Sequence, residues 1–206
     1  MASVPVNHGG RAAYGYVLHE PERPGEFDPA EAIRLGVPEG AAFGVLQRGG
    51  TVRVERPGST AEVRPEQVMG PARQGRKIVI SGDTSPCETL TVAAHRADVL
   101  VHEATFAQSE FERARETSHS TARQAAQVAL EAEVGLLALT HVSARYLGSE
   151  LLDEAREVFA ATQSPRDFDT IEVPQHERGD ARLIRWSERR ERDRSTGETP
   201  EAVASP

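Results

Sequence analysis

Three short apolar runs, spaced by helical stretches, constrain this chain more than anything else in it. Ile78, Val79 and Ile80 form the first, Val99, Leu100 and Val101 the second, and Leu136, Leu137, Ala138 and Leu139 the third. None shows a helical period and each is too short for a helix, so they read as buried strands. Pro86 to Ala97 and a segment from Ser120 to about Val134 read as helices. Leu90, Val92 and Ala93 are expected to face inward in the first. Ala125, Ala126, Val128, Ala129 and Leu130 do so in the second, with Ser120 as its cap. Strands that are buried and alternate with helices imply a parallel sheet in an α/β fold. Parallel strands gather their carboxyl ends along one edge, where such folds place their ligands.

The strand ends carry chemistry. Gly82 allows a sharp turn after the first run and presents Asp83. The second run leads into His102 and Glu103, the third into Thr140 and His141. A fourth end precedes them, because Val4 and Val6 alternate before His8-Gly9-Gly10, and Ala12 to Leu18 resumes the strand pattern. Taken singly, a Gly-Asp-Thr triplet is usually a capped turn, and an isolated histidine is usually surface. Four strand ends bearing carboxylate and imidazole in one short domain form a ligand set that zinc accepts. A carboxylate can also bridge two ions roughly 3.5–4 Å apart, as in two-metal hydrolases.

The rest of the chain is less patterned. Pro21 to Gly70 is dense in glycine and proline. It holds one helix, Ala30 to Leu35, capped by Asp28 with Pro29 at its first position and closed by Gly36. Thr51 to Glu55 alternates as a strand, and the remainder is expected as the loop of a protruding arm. Leu151 to Ala161 is an amphipathic helix, Asp169 to Val173 a last strand, and Ala181 to Trp186 has the form of an edge strand. Ser187 to Pro206, mixed in charge and then small and polar, reads as a disordered tail. The expected division is 1–20 with 71–174 as the body, 21–70 as the arm, and 175–206 as edge strand and tail.

Composition narrows the function classes. At 206 residues the chain can bury one substantial core. A net charge of −8 argues against a broad nonspecific grip on nucleic acid. Cys87 is the only cysteine, so no intrachain disulfide can form and a reducing compartment is expected. No stretch is long and apolar enough to span a bilayer, and Met1-Ala-Ser-Val-Pro5 lacks the pattern of a signal peptide. The expectation is a cytoplasmic protein with no membrane partner.

Several longer segments carry a family resemblance. They are Val6 to Tyr16, Gly82-Asp83-Thr84, Val99 to Phe106 with its His102-Glu103-Ala104-Thr105, and His119-Ser120-Thr121 followed by Gln124. Leu139 to Tyr146, with Thr140-His141-Val142-Ser143-Ala144-Arg145, completes the set. In this order the chain, from about Val4 to Val173, resembles the C-terminal part of ribonuclease Z, the tRNA 3′-processing endonuclease of the metallo-β-lactamase superfamily. The resemblance implies the C-terminal half of an αββα sandwich and a zinc-dependent phosphodiester hydrolase with two ions when complete. It implies His8 and His141 as ligands, one to each zinc, with Asp83 as the bridging carboxylate. His119 would protonate the departing 3′ oxygen, oriented by Glu103, a role that suits imidazole. Ser143 and Arg145 would hold phosphate oxygens. A tRNA precursor as substrate and a homodimer follow from the same resemblance. His102 is expected to pack behind the site, and His19, His95 and His176 to lie on the surface.

Two departures bear on function. The family carries a His-x-His-x-Asp-His cluster, and none of the seven histidines here forms an i, i+2 pair. The expectation is a truncated reading frame or fragment, inactive alone and with one sheet face uncovered. The family's arm is basic, whereas Pro21 to Gly49 is acidic, with Glu22, Glu26, Asp28, Glu31 and Glu39 against Arg23, Arg34 and Arg48. That charge favours one alternative, a related phosphodiesterase acting on a small substrate; a non-catalytic partner subunit is the other alternative.

Overall fold

The computed structural model describes residues 1–146 and 148–196. It divides into two compact units, Met1–Glu20 with Arg76–Pro206, and Pro21–Gly75. Strand β1 (Ala2–His8) turns at Gly9 and Gly10 into β2 (Arg11–His19), and the two pair antiparallel with Val6 opposite Ala13. Both glycines lie at positive φ, as a two-residue hairpin turn requires.

Pro21–Gly75 holds more than the one helix and one strand expected of it. Helix α1 (Pro29–Arg34) does begin at Asp28, whose carboxylate accepts from the Glu31 N–H. A second helix, α2 (Ala41–Gln47), and a hairpin of β3 (Val52–Arg56) with β4 (Ser59–Val63) follow. Ala32, Val37, Leu46, Val54, Val63 and Val68 pack into a core of the unit's own. Gly40 and Gly49, both at positive φ, bracket α2 instead of breaking the chain into loop, which is why punctuation alone misled. The unit as a whole carries eight acidic and seven basic residues, so the acidity of Pro21–Gly49 is largely offset by arginines farther on.

The larger unit continues with β5 (Lys77–Ile80), α3 (Glu88–Ala94), β6 (Val99–Glu103), α4 (Phe111–Thr117), α5 (Ala122–Glu131), β7 (Leu136–Thr140) and α6 (Gly148–Arg156). It ends with β8 (Thr162–Gln163), β9 (Thr170–Glu172), β10 (Arg182–Ile184) and α7 (Trp186–Thr196). One sheet, in the order β1-β2-β5-β6-β7-β8, organises it, and β5 to β8 are parallel. Because β2 is antiparallel to both β1 and β5, strand β1 runs the same way as the parallel set. The carboxyl ends of β1, β5, β6 and β7 therefore share one edge.

The two faces of the sheet differ. Helices α3, α5 and α6 cover one, where Val79, Leu100, Leu137 and Leu139 meet Leu90, Ala94, Ala125, Ala129, Leu151 and Ala155. On the other, Val99, Leu136 and Ala138 pack with Ile171, Val173 and Ala181 around β9 and β10, which pair antiparallel. Tyr14, Tyr16, Leu18 and Ile80 remain exposed. The parallel α/β sheet follows the strand–helix rhythm, and its single helical layer is the half-sandwich that the family resemblance implied.

Local readings need correction at several points, and the helix expected over Leu151 to Ala161 runs instead over Gly148–Arg156. Helix α3 starts at Glu88, two residues later than Pro86, so Ala94 faces inward and Val92 is 67% exposed. In α5 the cap is Thr121, paired reciprocally with Gln124, while the Ser120 hydroxyl donates to the Thr84 carbonyl. Leu130 lies outside the inward stripe of that helix. The segment expected as tail is helical over Trp186–Thr196, where the Arg189 and Arg190 guanidiniums lie over the Trp186 ring, and its remainder, 197–206, falls outside the described residues. No helix among the described residues is long and apolar enough to cross a membrane.

Candidate metal centre

Each side chain at the shared edge is delivered by a strand end or a tight turn. His8 ends β1 and Glu103 ends β6. Asp83 follows Gly82, whose φ is +64° and whose missing Cβ would stand 3.0 Å from the Tyr14 carbonyl oxygen. His141 follows β7 and itself adopts φ 54°. His119 enters from the turn between α4 and α5, just after Ser118, which closes α4 in the left-handed conformation.

Glu103 is the hub. Its side chain is fully buried, and its two oxygens accept from five donors. Oε1 takes the Thr84 N–H at 2.8 Å and His119 Nδ1 at 2.7 Å. Oε2 takes the Thr105 hydroxyl at 2.8 Å and the N–H groups of Ser120 and Thr105 at 3.1 and 3.3 Å. A buried carboxylate is tolerable only when so completely satisfied.

The partners also set the histidine tautomers. The Ser118 carbonyl, 3.1 Å from His8 Nδ1, can only accept, so that nitrogen carries the hydrogen. Glu103 does the same for His119. The Thr105 hydroxyl gives its proton to Glu103 and so receives the hydrogen of His141 Nδ1, 2.8 Å away. All three rings are thereby left with an Nε2 lone pair, the arrangement in which imidazoles bind metals.

The groups converge. Asp83 Oδ1 lies 3.7 Å from His141 Nδ1. His8 and His119 stand edge to face with centroids 5.0 Å apart, and His119 and His141 stack at 5.2 Å. Among the described residues two trios each offer ligand atoms within 4.8 Å of one another: His8, Asp83 and His119, and Glu103, His119 and His141. Nitrogen and carboxylate donors with outward Nδ1–H bonds suit zinc.

The two expected phosphate-holding residues face each other. Arg145 Nε donates to Ser143 Oγ at 3.1 Å, and Nη1 donates to both Glu110 oxygens at 3.0 and 3.1 Å. The Tyr146 hydroxyl donates to the same carboxylate. His102 is fully buried; its Nδ1 donates to the Glu103 carbonyl at 2.7 Å, Nε2 has no partner, and burial pushes its pKa down, keeping the ring neutral. His19 and His95 are exposed, as is His176, which reaches Asp98 at 2.6 Å. The residues that local reading missed are Thr84, Thr105 and Glu110. A threonine two places after a strand-end glutamate was the one available signal, and it points to Thr105.

Comparison with known proteins supplies the context. No family model matches the chain. Ribonuclease Z of Myxococcus xanthus is 53% identical over 168 residues, covering 79% of this chain and 53% of that protein. Ribonuclease Z of Gemmatimonas aurantiaca is 46% identical over 170 residues, covering 82% and 53%. Among solved structures, the short form of human tRNase Z aligns over 60% of this chain and 42% of its own, at 29% identity and a TM-score of 0.40. The chain spans about half the length of the curated relatives it matches. In sequence, this chain is a relative of ribonuclease Z, matched over about four fifths of its own length.

Proposed function

We propose that this chain is the part of a ribonuclease Z-type, zinc-dependent phosphodiester hydrolase that carries its general acid and several of its metal ligands. The complete protein, a homodimer, would remove 3′ trailers from tRNA precursors. The observation that carries the reading is the His119–Glu103 pair, set beside His8, Asp83 and His141 on a single sheet edge.

When bound, zinc polarises the scissile phosphodiester and readies water for attack. The remaining work belongs to side chains. Glu103 holds the His119 ring through Nδ1, so that Nε2 can carry a proton to the departing 3′ oxygen. Thr105 and the N–H groups of Thr84 and Ser120 fix Glu103 in turn. His8, Asp83 and His141 serve as ligands, and Arg145 and Ser143 exchange their present partners for phosphate oxygens. The near balance of charge across Pro21–Gly75 leaves RNA acceptable to that unit.

Alone, the chain offers three such ligands to a site that holds two ions, so it is expected to be inactive. The test compares the chain with a version extended to the relatives' full length by a segment bearing His-x-His-x-Asp-His. With zinc, the extended protein should cleave a tRNA precursor while the chain alone does not. Turnover by the chain alone, or cleavage only of a small bis-aryl diester by the extended protein, would overturn the proposal.

A further inference from the structure

We propose that this chain, without any additional segment, binds one divalent transition-metal ion through His8, Asp83 and His119, so that the general acid doubles as a ligand. The inference rests on reading this edge as a metal centre, and it reassigns one residue of it.

The two candidate trios are not equivalent. In the set of Glu103, His119 and His141, the carboxylate is already engaged, because the two Glu103 oxygens accept five hydrogen bonds between them. An ion placed there would have to displace hydrogen bonds inside a fully buried hub. In the set of His8, Asp83 and His119 each group has a free ligand atom. Ser118 and Glu103 hold the two rings through Nδ1 and leave Nε2 open, and the Asp83 carboxylate has only a 3.7 Å approach from His141.

Ring orientation separates His119 from His141 as a partner for His8. An imidazole lone pair lies in its ring plane, so one ion can serve two rings only where their planes cross. The planes of His8 and His119 cross at 68° with centroids 5.0 Å apart. Those of His119 and His141 are 23° from parallel at 5.2 Å, and meet far from either nitrogen. Ligand atoms on a tetrahedral zinc stand about 3.3 Å apart, given zinc–nitrogen distances of about 2.0–2.1 Å. Each of the three residues already offers a ligand atom within 4.8 Å of the others, and side-chain rotations would have to close the remaining distance.

A consequence follows for the acid. An Nε2 that ligates an ion cannot deliver a proton, so the loaded chain is in a resting arrangement. Ligands from a segment bearing His-x-His-x-Asp-His would compete for the ion and return His119 to its proton-donating role.

The experiment is a titration of the purified chain with Co(II), read by visible absorption, and with Zn(II), read by calorimetry and native mass spectrometry. One ion per chain is expected. His8→Ala, Asp83→Asn and His119→Gln should each weaken binding at least tenfold, while His141→Ala should leave it within about threefold. His119→Gln keeps an N–H donor for Glu103, and far-UV circular dichroism with thermal unfolding checks that each variant folds. Imidazole ¹⁵N shifts on adding Zn(II) should move for His8 and His119 and not for His141. Binding that survives His119→Gln in a folded protein, loss with His141→Ala, a stoichiometry of two, or no binding would each overturn the proposal. None of these outcomes bears on whether the extended protein cleaves a tRNA precursor, which tests the endonuclease reading separately.

Discussion

At the scale of single residues, the fully buried Glu103 carries more than any other side chain at the edge. Glutamine has one acceptor oxygen where the carboxylate has two, and its amide would face N–H groups it cannot bond. Glu103→Gln should therefore cost roughly 2–4 kcal/mol, lowering the unfolding midpoint by about 5–15 °C in scanning calorimetry. A loss under about 1 kcal/mol would mean that the five donors are satisfied elsewhere. In the extended protein, His119→Ala should reduce turnover on a tRNA precursor on the order of 10²–10⁴-fold while leaving zinc content unchanged, as removal of a general acid does. Asp83, His8 and His141 were legible as ligand types because strand ends and a turn glycine announce them. His119 was not, since nothing local distinguishes a histidine in a turn between helices, and its role came only with the longer His-Ser-Thr segment. The hub itself lies beyond any local reading: Thr84, Thr105 and Ser120 meet Glu103 only through the parallel register of β5 and β6 and the return of the chain into α5.

At the scale of elements, the caps and clasps give separate expectations. Thr121→Ala removes the reciprocal pair with Gln124 at the start of α5, which should cost about 1 kcal/mol and speed amide exchange at Gln124, whose N–H bonds the Thr121 hydroxyl. The start of β5 is clasped differently. Arg76 reaches Glu20 after β2 at 2.5 and 2.8 Å, and the Val173 carbonyl after β9 at 2.8 Å. The guanidinium hydrogen bonds hold the Glu20 pKa at about 2, well below its ordinary 4.5. A lowered carboxylate pKa means that the unfolded chain takes up its proton first, so the clasp stabilises fully above about pH 4.5 and is lost as pH falls toward 2. Glu20→Gln should flatten the stability profile in that window and leave its slope near pH 7 unchanged, as measured by denaturant titration. Parallel strands and the main helices were readable because their apolar runs are long enough to show a period. Helix α4 was not, because Phe111–Thr117 buries only Ala114 and shows no apolar stripe. Strand β8, two residues long, has no period to read. The folded unit at Pro21–Gly75 was hidden because its six core residues come one each from scattered segments and close only in three dimensions.

At the scale of the whole molecule, the unequal faces of the sheet are its most consequential feature. Register places Tyr16 beside Ile80, with Tyr14 and Leu18 two residues to either side of Tyr16 on the same face of β2. All four are exposed, from 38% at Ile80 to 52% at Tyr14. The strands carrying them bury Val79 and Val17 against the helical side, so the apolar character of this second face is not a by-product of core demand on the first. A band of exposed apolar side chains on an otherwise charged protein is a surface to which apolar molecules adsorb. The chain should consequently enhance the fluorescence of a hydrophobic dye such as anilinonaphthalene sulfonate while fully folded. The double variant Tyr16→Lys with Ile80→Lys should remove most of that signal, because it places two charges at the centre of the band. Tyr16 and Ile80 are only 45% and 38% exposed and pair directly across the strands, so the two lysines are expected to cost some stability, and far-UV circular dichroism with a melting curve establishes that the variant is folded when the dye signal is read. If the variant binds dye as strongly as the parent, the apolar surface that the dye reads lies elsewhere on the protein.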